Sequence, residues 1–297
     1  MNMFKRPLIA LSLTDSDDGL LQYAALALAG ANTEEICFAH AVADGVERTP
    51  PEVDEARLRR ISRLAQSHFG ADRAGLDYEV VHGPRLDQVL SLIVKHRSDV
   101  VFLGHRRERS GYRSLSRRLA MAAPCAIWLV PEGAPARIKS ILVPVDFSGH
   151  SAEALSIATE IAAVHGVKTC QVVHSYYDSS VTRYDETVQE FIGQERAAFD
   201  QFQKQTDLHG VQLEPIFAES TNPVEAILRV AHHQESDLIV MSTRGRSRSA
   251  AVLLGSNTSR TMAKSSIPLL AVKPFGNRMT LLQALLHHRF WEDPALK

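Results

Sequence analysis

Ser242, followed after two residues by Gly245, and Gly255-Ser256, nine residues further on, are the positions in this chain best suited to hold an anion. They lie within DLIVMSTRGRSRSAAVLLGSNTSRTMAKSSIPLLAVKP (Asp237–Pro274), which reads as a buried strand, a polar loop, a helix and a second buried strand. A glycine at the exit of a strand lets the backbone approach a ligand. A Gly-Ser at a helix start offers free N–H groups and a hydroxyl to phosphate oxygens, and equally suits an ordinary N-cap. Arg244, Arg246 and Arg248 flank the loop, either as neutralising partners for a polyphosphate or as part of a solvated surface.

Other chemistry is poorly supported. The 13 histidines include the neighbouring pairs His232-His233 and His287-His288, which point in different directions on a helix, and no HExxH spacing occurs. No metal ligands are assigned, and His40 and His174, at equivalent strand ends, read as structural. A GKS/T phosphate loop, a G-x-S-x-G elbow and a carboxylate pair at catalytic spacing are all missing, so no catalytic residue is assigned. Cys37, Cys125 and Cys170 sit in apolar strand-like runs without metal-ligand spacing, which fits reduced thiols and a cytoplasmic location.

The elements that must position the loop follow from the apolar pattern. A chain of 297 residues, 45% hydrophobic and 23% charged, has material for two globular cores. A net charge of −1 argues against a dedicated nucleic-acid or membrane-surface binder, and no segment reads as a transmembrane span. Strand-like runs PLIALSL, ICFAHAV, LDYEVVHG, DVVFLG and APCAIWLVP alternate with helical spacing in the first half. The order then recurs from KSILVPVDFS onward, with a long helix near 183–209 and another at 223–234. Pairing the halves matches Ile9 with Ile141, His40 with His174, Asp99 with Asp237, Gly104 with Ser242 and Ser114 with Ser256. The duplication predicts one domain over 1–133 and another over 138–275, joined by EGAPAR at 132–137. A tail follows at 276–297, whose LLQALLHHRFW suits a helix that packs on the protein or on a partner subunit.

Alternating strands and helices imply α/β domains with parallel sheets, whose ligands bind outside the carboxyl ends of the strands where the strand order reverses. The loops carrying Asp146 and Ser242–Ser256 occupy those ends in the second half.

These residues reach a known pattern. Gly-two residues-Gly-nine residues-Gly-Ser/Thr after a buried strand, together with ILVPVDFS at the start of a domain, resembles the ATP-binding branch of the universal stress protein family. The resemblance covers both halves and implies two tandem doubly wound open-sheet domains of five mostly parallel strands each, packed as an internal pseudo-dimer. For the second half it implies that Pro144, Val145 and Asp146 border the adenosine and that Ser175 falls where backbone atoms meet the adenine. Met241, Ser242 and Gly245 then form the fourth-strand loop, with Arg244 counted among the binding residues as a flanking cation, and Gly255, Ser256 and Asn257 hold the phosphates. Ser242 replaces the first motif glycine, a change that either adds a hydrogen bond or weakens binding.

The first half departs further. The first-strand aspartate position reads as Thr14, with Asp15 beside it, and the second and third motif glycines read as Arg107 and Arg113. This half is therefore expected not to hold ATP in the family manner. Arg106, Arg107, Arg109, Arg113, Arg117 and Arg118 form either a patch for an anionic protein partner or a solvated face.

The function the resemblance implies is stress-linked sensing or regulation through an adenine nucleotide in the second domain, with at most slow hydrolysis. Asp146 with a magnesium ion is the best candidate for any polarisation of the nucleotide. A homodimer is expected, with partner contacts through the arginine-rich loop or the tail. The rival reading is a nucleotide-free interaction scaffold in which both cradles are relics.

Overall fold

The computed structural model describes residues 4–43, 50–105, 114–177, 185–245 and 254–273. The first compact unit of the chain runs to Ala136, and the second spans Arg137–Val272. The tail at 276–297 and the arginines at 106, 107, 109, 113, 246 and 248 lie outside the described residues.

The first unit comprises β1 (Pro7–Leu11), α1 (Ser16–Ala27), β2 (Ile36–Val42), α2 (Pro51–Phe69), β3 (Leu76–His82), α3 (Arg85–Lys95), β4 (Val100–His105), α4 (Leu115–Ala122) and β5 (Ala126–Pro131). Its strands lie in the order β3-β2-β1-β4-β5, and the pairings are parallel. The second unit comprises β6 (Ile141–Val145), α5 (Gly149–Val164), β7 (Thr169–Tyr176), α6 (Asp185–Lys204), β8 (Gln212–Glu219), α7 (Pro223–His233), β9 (Leu238–Ser242), α8 (Ser256–Lys264) and β10 (Leu269–Val272). Its order, β8-β7-β6-β9-β10, is the same topology with parallel pairing. In each unit the order reverses beside the first strand, so a crevice opens outside the carboxyl ends of β1 and β4, or of β6 and β9.

Central strands read as unbroken apolar runs because helices cover both sheet faces. In the first unit α1 packs against α2 and α3 against α4. Trp128 is fully buried, stacks on Phe102 at 5.0 Å between ring centroids, and meets Phe4 and Tyr23 at its edges. Edge strand β3 is only half-buried along most of its length. In the second unit Pro215 is accommodated in edge strand β8.

Asp99 and Asp237 perform one structural task twice. The Asp99 carboxylate accepts from the Lys5 N–H at 2.6 Å and from the Arg6 N–H at 3.3 Å. Asp237 accepts from the N–H groups of Lys139 and Ser140 at 2.9 and 3.2 Å. Each carboxylate thereby fixes the entry into the first strand of its unit.

One sequence pairing is corrected. Leu11 and Val145 both accept a hydrogen bond from the Nδ1 of the matched histidine, His40 or His174, at 3.0 and 2.9 Å. Leu13 and Phe147 both adopt positive φ, +56° and +58°. Ile9 therefore matches Val143, not Ile141, and the residue equivalent to Asp146 is Ser12, not Thr14. Sliding a strand by two residues leaves its inward-outward alternation unchanged, so periodicity alone could not detect the slip.

Candidate functional site

The eleven residues singled out in the second half, Pro144, Val145, Asp146, Ser175, Met241, Ser242, Arg244, Gly245, Gly255, Ser256 and Asn257, all line one cavity of about 310 Å³. It lies at the carboxyl ends of β6, β7 and β9 and at the start of α8. Ser151, Val173, Pro223, Ile227 and Thr258 also line it. Pro223 and Ile227 share a face of the first turns of α7, a spacing visible in the sequence but not distinguishable there from core packing.

Local chemistry fixes the wall at Asp146. Val145 ends β6, Phe147 turns the chain through left-handed φ, and Ser148 caps α5 by accepting from the Ser151 N–H at 3.3 Å. Asp146 Oδ1 receives the Ser148 N–H at 3.1 Å and the Ser148 hydroxyl at 2.5 Å. The other oxygen, Oδ2, stands 2.6 Å from where a β-carbon on Gly245 would lie. Phe147 packs its ring on His174, 4.2 Å between centroids. The His174 Nε2 lies 3.2 Å from Glu195 Oε2, so His174 supports the turn from behind.

The two ends of the motif loop are pinned together. The Gly255 N–H donates to the Thr243 carbonyl at 2.6 Å, and the Thr258 hydroxyl donates to the Ser242 carbonyl at 2.8 Å. The Ser242 hydroxyl donates to the Arg244 carbonyl at 2.5 Å. The Ser242 side chain is thus engaged by a hydrogen bond within the loop. At Gly245 and Gly255 the constraint is limited space rather than unusual backbone angles. Gly255 has φ −63°, and a β-carbon there would stand 3.3 Å from the Thr243 carbonyl oxygen.

Helix α8 has no side-chain cap at Gly255, and its first intrahelical bond runs from the Ser259 N–H to the Gly255 carbonyl. Its opening N–H groups, at Ser256, Asn257 and Thr258, therefore lack the intrahelical acceptors that later residues have. The Ser175 hydroxyl lines the same cavity, is buried, and has no hydrogen-bond partner among the described residues.

The first unit has a cavity of about 290 Å³ at the equivalent strand ends, including Leu11, Ser12, His40 and Gly104. Its chemistry differs. Ser12 stands in place of Asp146, and the nearest carboxylate, Asp17, is turned onto its own loop: it accepts from the Ser12 N–H at 3.0 Å, the Ser12 hydroxyl at 2.8 Å and the Leu13 N–H at 2.6 Å. Ser114 caps α4 by accepting from the Arg117 N–H at 3.2 Å, which closes the helix start that is open in the second unit. Burial pushes the His40 imidazole below its ordinary pKa.

The cysteines are free and buried. Burial pushes the thiols of Cys125 and Cys170 up to about 12, which leaves them protonated and poorly nucleophilic.

Comparison with known proteins places this geometry. The profile of the universal stress protein family matches residues 137–273. A universal stress protein of Thermus aquaticus is 32% identical over 146 residues, covering 46% of this chain and 98% of that protein. The chain belongs to the universal stress protein family. A second universal stress protein, from Methanocaldococcus jannaschii, is 31% identical over 143 residues, 46% of this chain and 82% of its own length. The crystal structure of a universal stress protein from Archaeoglobus fulgidus aligns with 93% of this chain and 98% of its own, with a TM-score of 0.63 and 18% identity. That match extends the universal stress protein fold to most of the chain. Among the described residues no helix is long and apolar enough to cross a membrane.

Proposed function

We propose that the second unit of this universal stress protein binds an adenine nucleotide, ATP, and that the chain acts as a nucleotide-dependent sensor or regulator rather than an efficient enzyme. The observation that carries this reading is the convergence of Asp146, Gly245, Gly255 and the open start of α8 on one cavity. The residues fit the ligand in three respects. A cradle that a β-carbon would fill is kept clear at Gly245 and Gly255. The uncapped N–H groups at Ser256 and Asn257, with Arg244 beside them, suit phosphate oxygens. The buried, unpartnered Ser175 hydroxyl calls for a polar ligand atom.

In the bound state Pro144, Val145, Asp146 and Ser175 would border the nucleoside, while Met241, Ser242 and Gly245 would form the loop wall. A magnesium ion, where the nucleotide brings one, would find its protein oxygen at Asp146. Among the described lining residues the one carboxylate, Asp146, has its Oδ1 taken up by Ser148, which favours retention of the nucleotide over turnover.

The test is mass spectrometry of denatured, freshly purified protein, followed by a thermal melt with Mg-ATP. About one adenylate per chain, or a saturable upward shift in Tm that Gly255→Arg abolishes, is expected. Absence of both would leave the nucleotide-free scaffold as the better reading.

A further inference from the structure

The first-unit cavity is nearly as large as that of the second, about 290 Å³, yet almost every group that would read a nucleotide has been removed or closed. Ser12 replaces Asp146, Asp17 is 3% exposed and saturated by its own loop, and Ser114 caps the helix that would receive phosphate. A degenerate site with no ligand would be expected to fill with side chains, because an interior void forfeits packing contacts. Among the described residues this one stays open, with walls built from Leu11, Leu20, Leu92, Leu103 and Val130.

Among the described lining residues one cation has been added. Arg85 is the first residue of α3 and occupies the position that Pro223 holds at the start of α7, and each lines the cavity of its unit. Arg85 is exposed and has no carboxylate partner among the described residues. It stands on a helix N-terminus, where backbone N–H groups add to its positive field. Beside it, His40 gives its Nδ1–H to the Leu11 carbonyl, and burial favours its neutral form, so it adds no fixed charge. The Ser12, Thr14 and Ser16 hydroxyls form a chain along the rim, with oxygens 2.7 and 2.8 Å apart. Glu132, the remaining acid of the lining, is exposed at the exit of β5.

We propose that this cavity binds a small organic anion with an apolar body, its carboxylate or equivalent head held by Arg85 at the mouth and its body packed against the leucine and valine walls. A cavity at the small end of the range for ligand sites suits a compact molecule with one charged group. Fork-like recognition by arginine suits a planar carboxylate. The ligand class differs from that of the second unit, so the two halves of the duplication would respond to different molecules.

The test uses the full chain saturated with Mg-ATP and three probes of matched body, 4-phenylbutanoate, 4-phenylbutanol and 4-phenylbutylamine, titrated by calorimetry. The acid is expected to bind saturably at one per chain, roughly fivefold or more tighter than the alcohol, with the amine weakest. Arg85→Gln should bring the acid down to the level of the alcohol. Ala41→Phe, which places a ring in the cavity, should weaken acid and alcohol alike. Both variants are compared with the parent by circular dichroism and melting, and Arg85→Gln, at an exposed site, keeps the test open should Ala41→Phe fold poorly. No binding by any probe would overturn the proposal. So would acid binding that survives Arg85→Gln, or that is lost in the second-unit variant Gly255→Arg. The nucleotide reading is checked separately, by mass spectrometry and the Mg-ATP melt, so failure here leaves it untouched.

Discussion

Asp146 Oδ2 stands 2.6 Å from the position a β-carbon on Gly245 would take, so the carboxylate and the glycine define one wall of the second-unit cavity together. Gly245 is not held at positive φ, and the constraint on it is therefore space. Gly245→Ala should cost about 1 kcal/mol or more in stability through overpacking and should weaken nucleotide binding at least tenfold. Asp146→Ser, which copies the first unit, should relieve the crowding, so the double variant should lose less stability than the sum of the singles. Urea denaturation of all four proteins measures this; strictly additive losses would mean that the two residues do not press on each other.

Ser242 invites a second measurement. Its hydroxyl donates to the Arg244 carbonyl, so its polar group is used within the loop. Ser242→Gly, which restores the family's motif glycine, should leave nucleotide affinity within roughly threefold of the parent. Ser242→Ala should lose about 1 kcal/mol of stability with the hydrogen bond. A large gain in affinity for the glycine variant would show instead that the serine obstructs the ligand.

These residues also show where the sequence was legible. Eleven lining residues of the second-unit cavity could be named beforehand because the glycine-spaced loop and the strand-end aspartate resemble a family pattern, whereas Ser151, Val173, Pro223, Ile227 and Thr258 could not be told from core or capping residues. The order of elements was readable because buried parallel strands carry unbroken apolar runs. What could not be read was register and side-chain direction. A slip of two residues preserves strand alternation, which is why Thr14 stood in for Ser12. Nor could the sequence show that Asp17 folds back on Ser12 and Leu13, or that Arg85 and Pro223 occupy equivalent cavity positions, because both depend on how a helix start meets the sheet.

Away from the cavities, Glu79 ties β3 to the end of α3 through Lys95 and through His96, whose Nε2 lies 3.2 Å from Glu79 Oε1. Burial works to raise the Glu79 carboxyl, but the Lys95 hydrogen bond and charge, followed by those of His96, outweigh it and hold the pKa below the ordinary 4.5. A depressed folded-state value gives stabilisation that is fully present above 4.5 and disappears as pH falls through the lower folded value. Glu79→Gln should therefore be less stable than the parent at neutral pH, and the gap should close in acid. Denaturation curves across that range provide the check, and a gap independent of pH would assign the residue a purely steric role.

The Ser12–Asp17 pair and the Asp146–Ser151 pair occupy matched positions with the carboxylate exchanged between them, and this exchange can be tested within the first unit. Ser12→Asp alone would bring a second carboxylate to a site where the Ser12 hydroxyl now lies 2.8 Å from Asp17 Oδ1, and like-charge repulsion should destabilise the protein by about 1–2 kcal/mol. Asp17→Ser alone removes the acceptor for the N–H groups of Ser12 and Leu13 and should cost a similar amount. The double exchange recreates the second-unit arrangement, in which the aspartate follows the strand and a serine lies five residues on. It should recover at least half of the summed loss. Recovery would show that the turn after the first strand accepts its carboxylate from either side. Losses that simply add would show that the first-unit loop depends on Asp17 for its own shape.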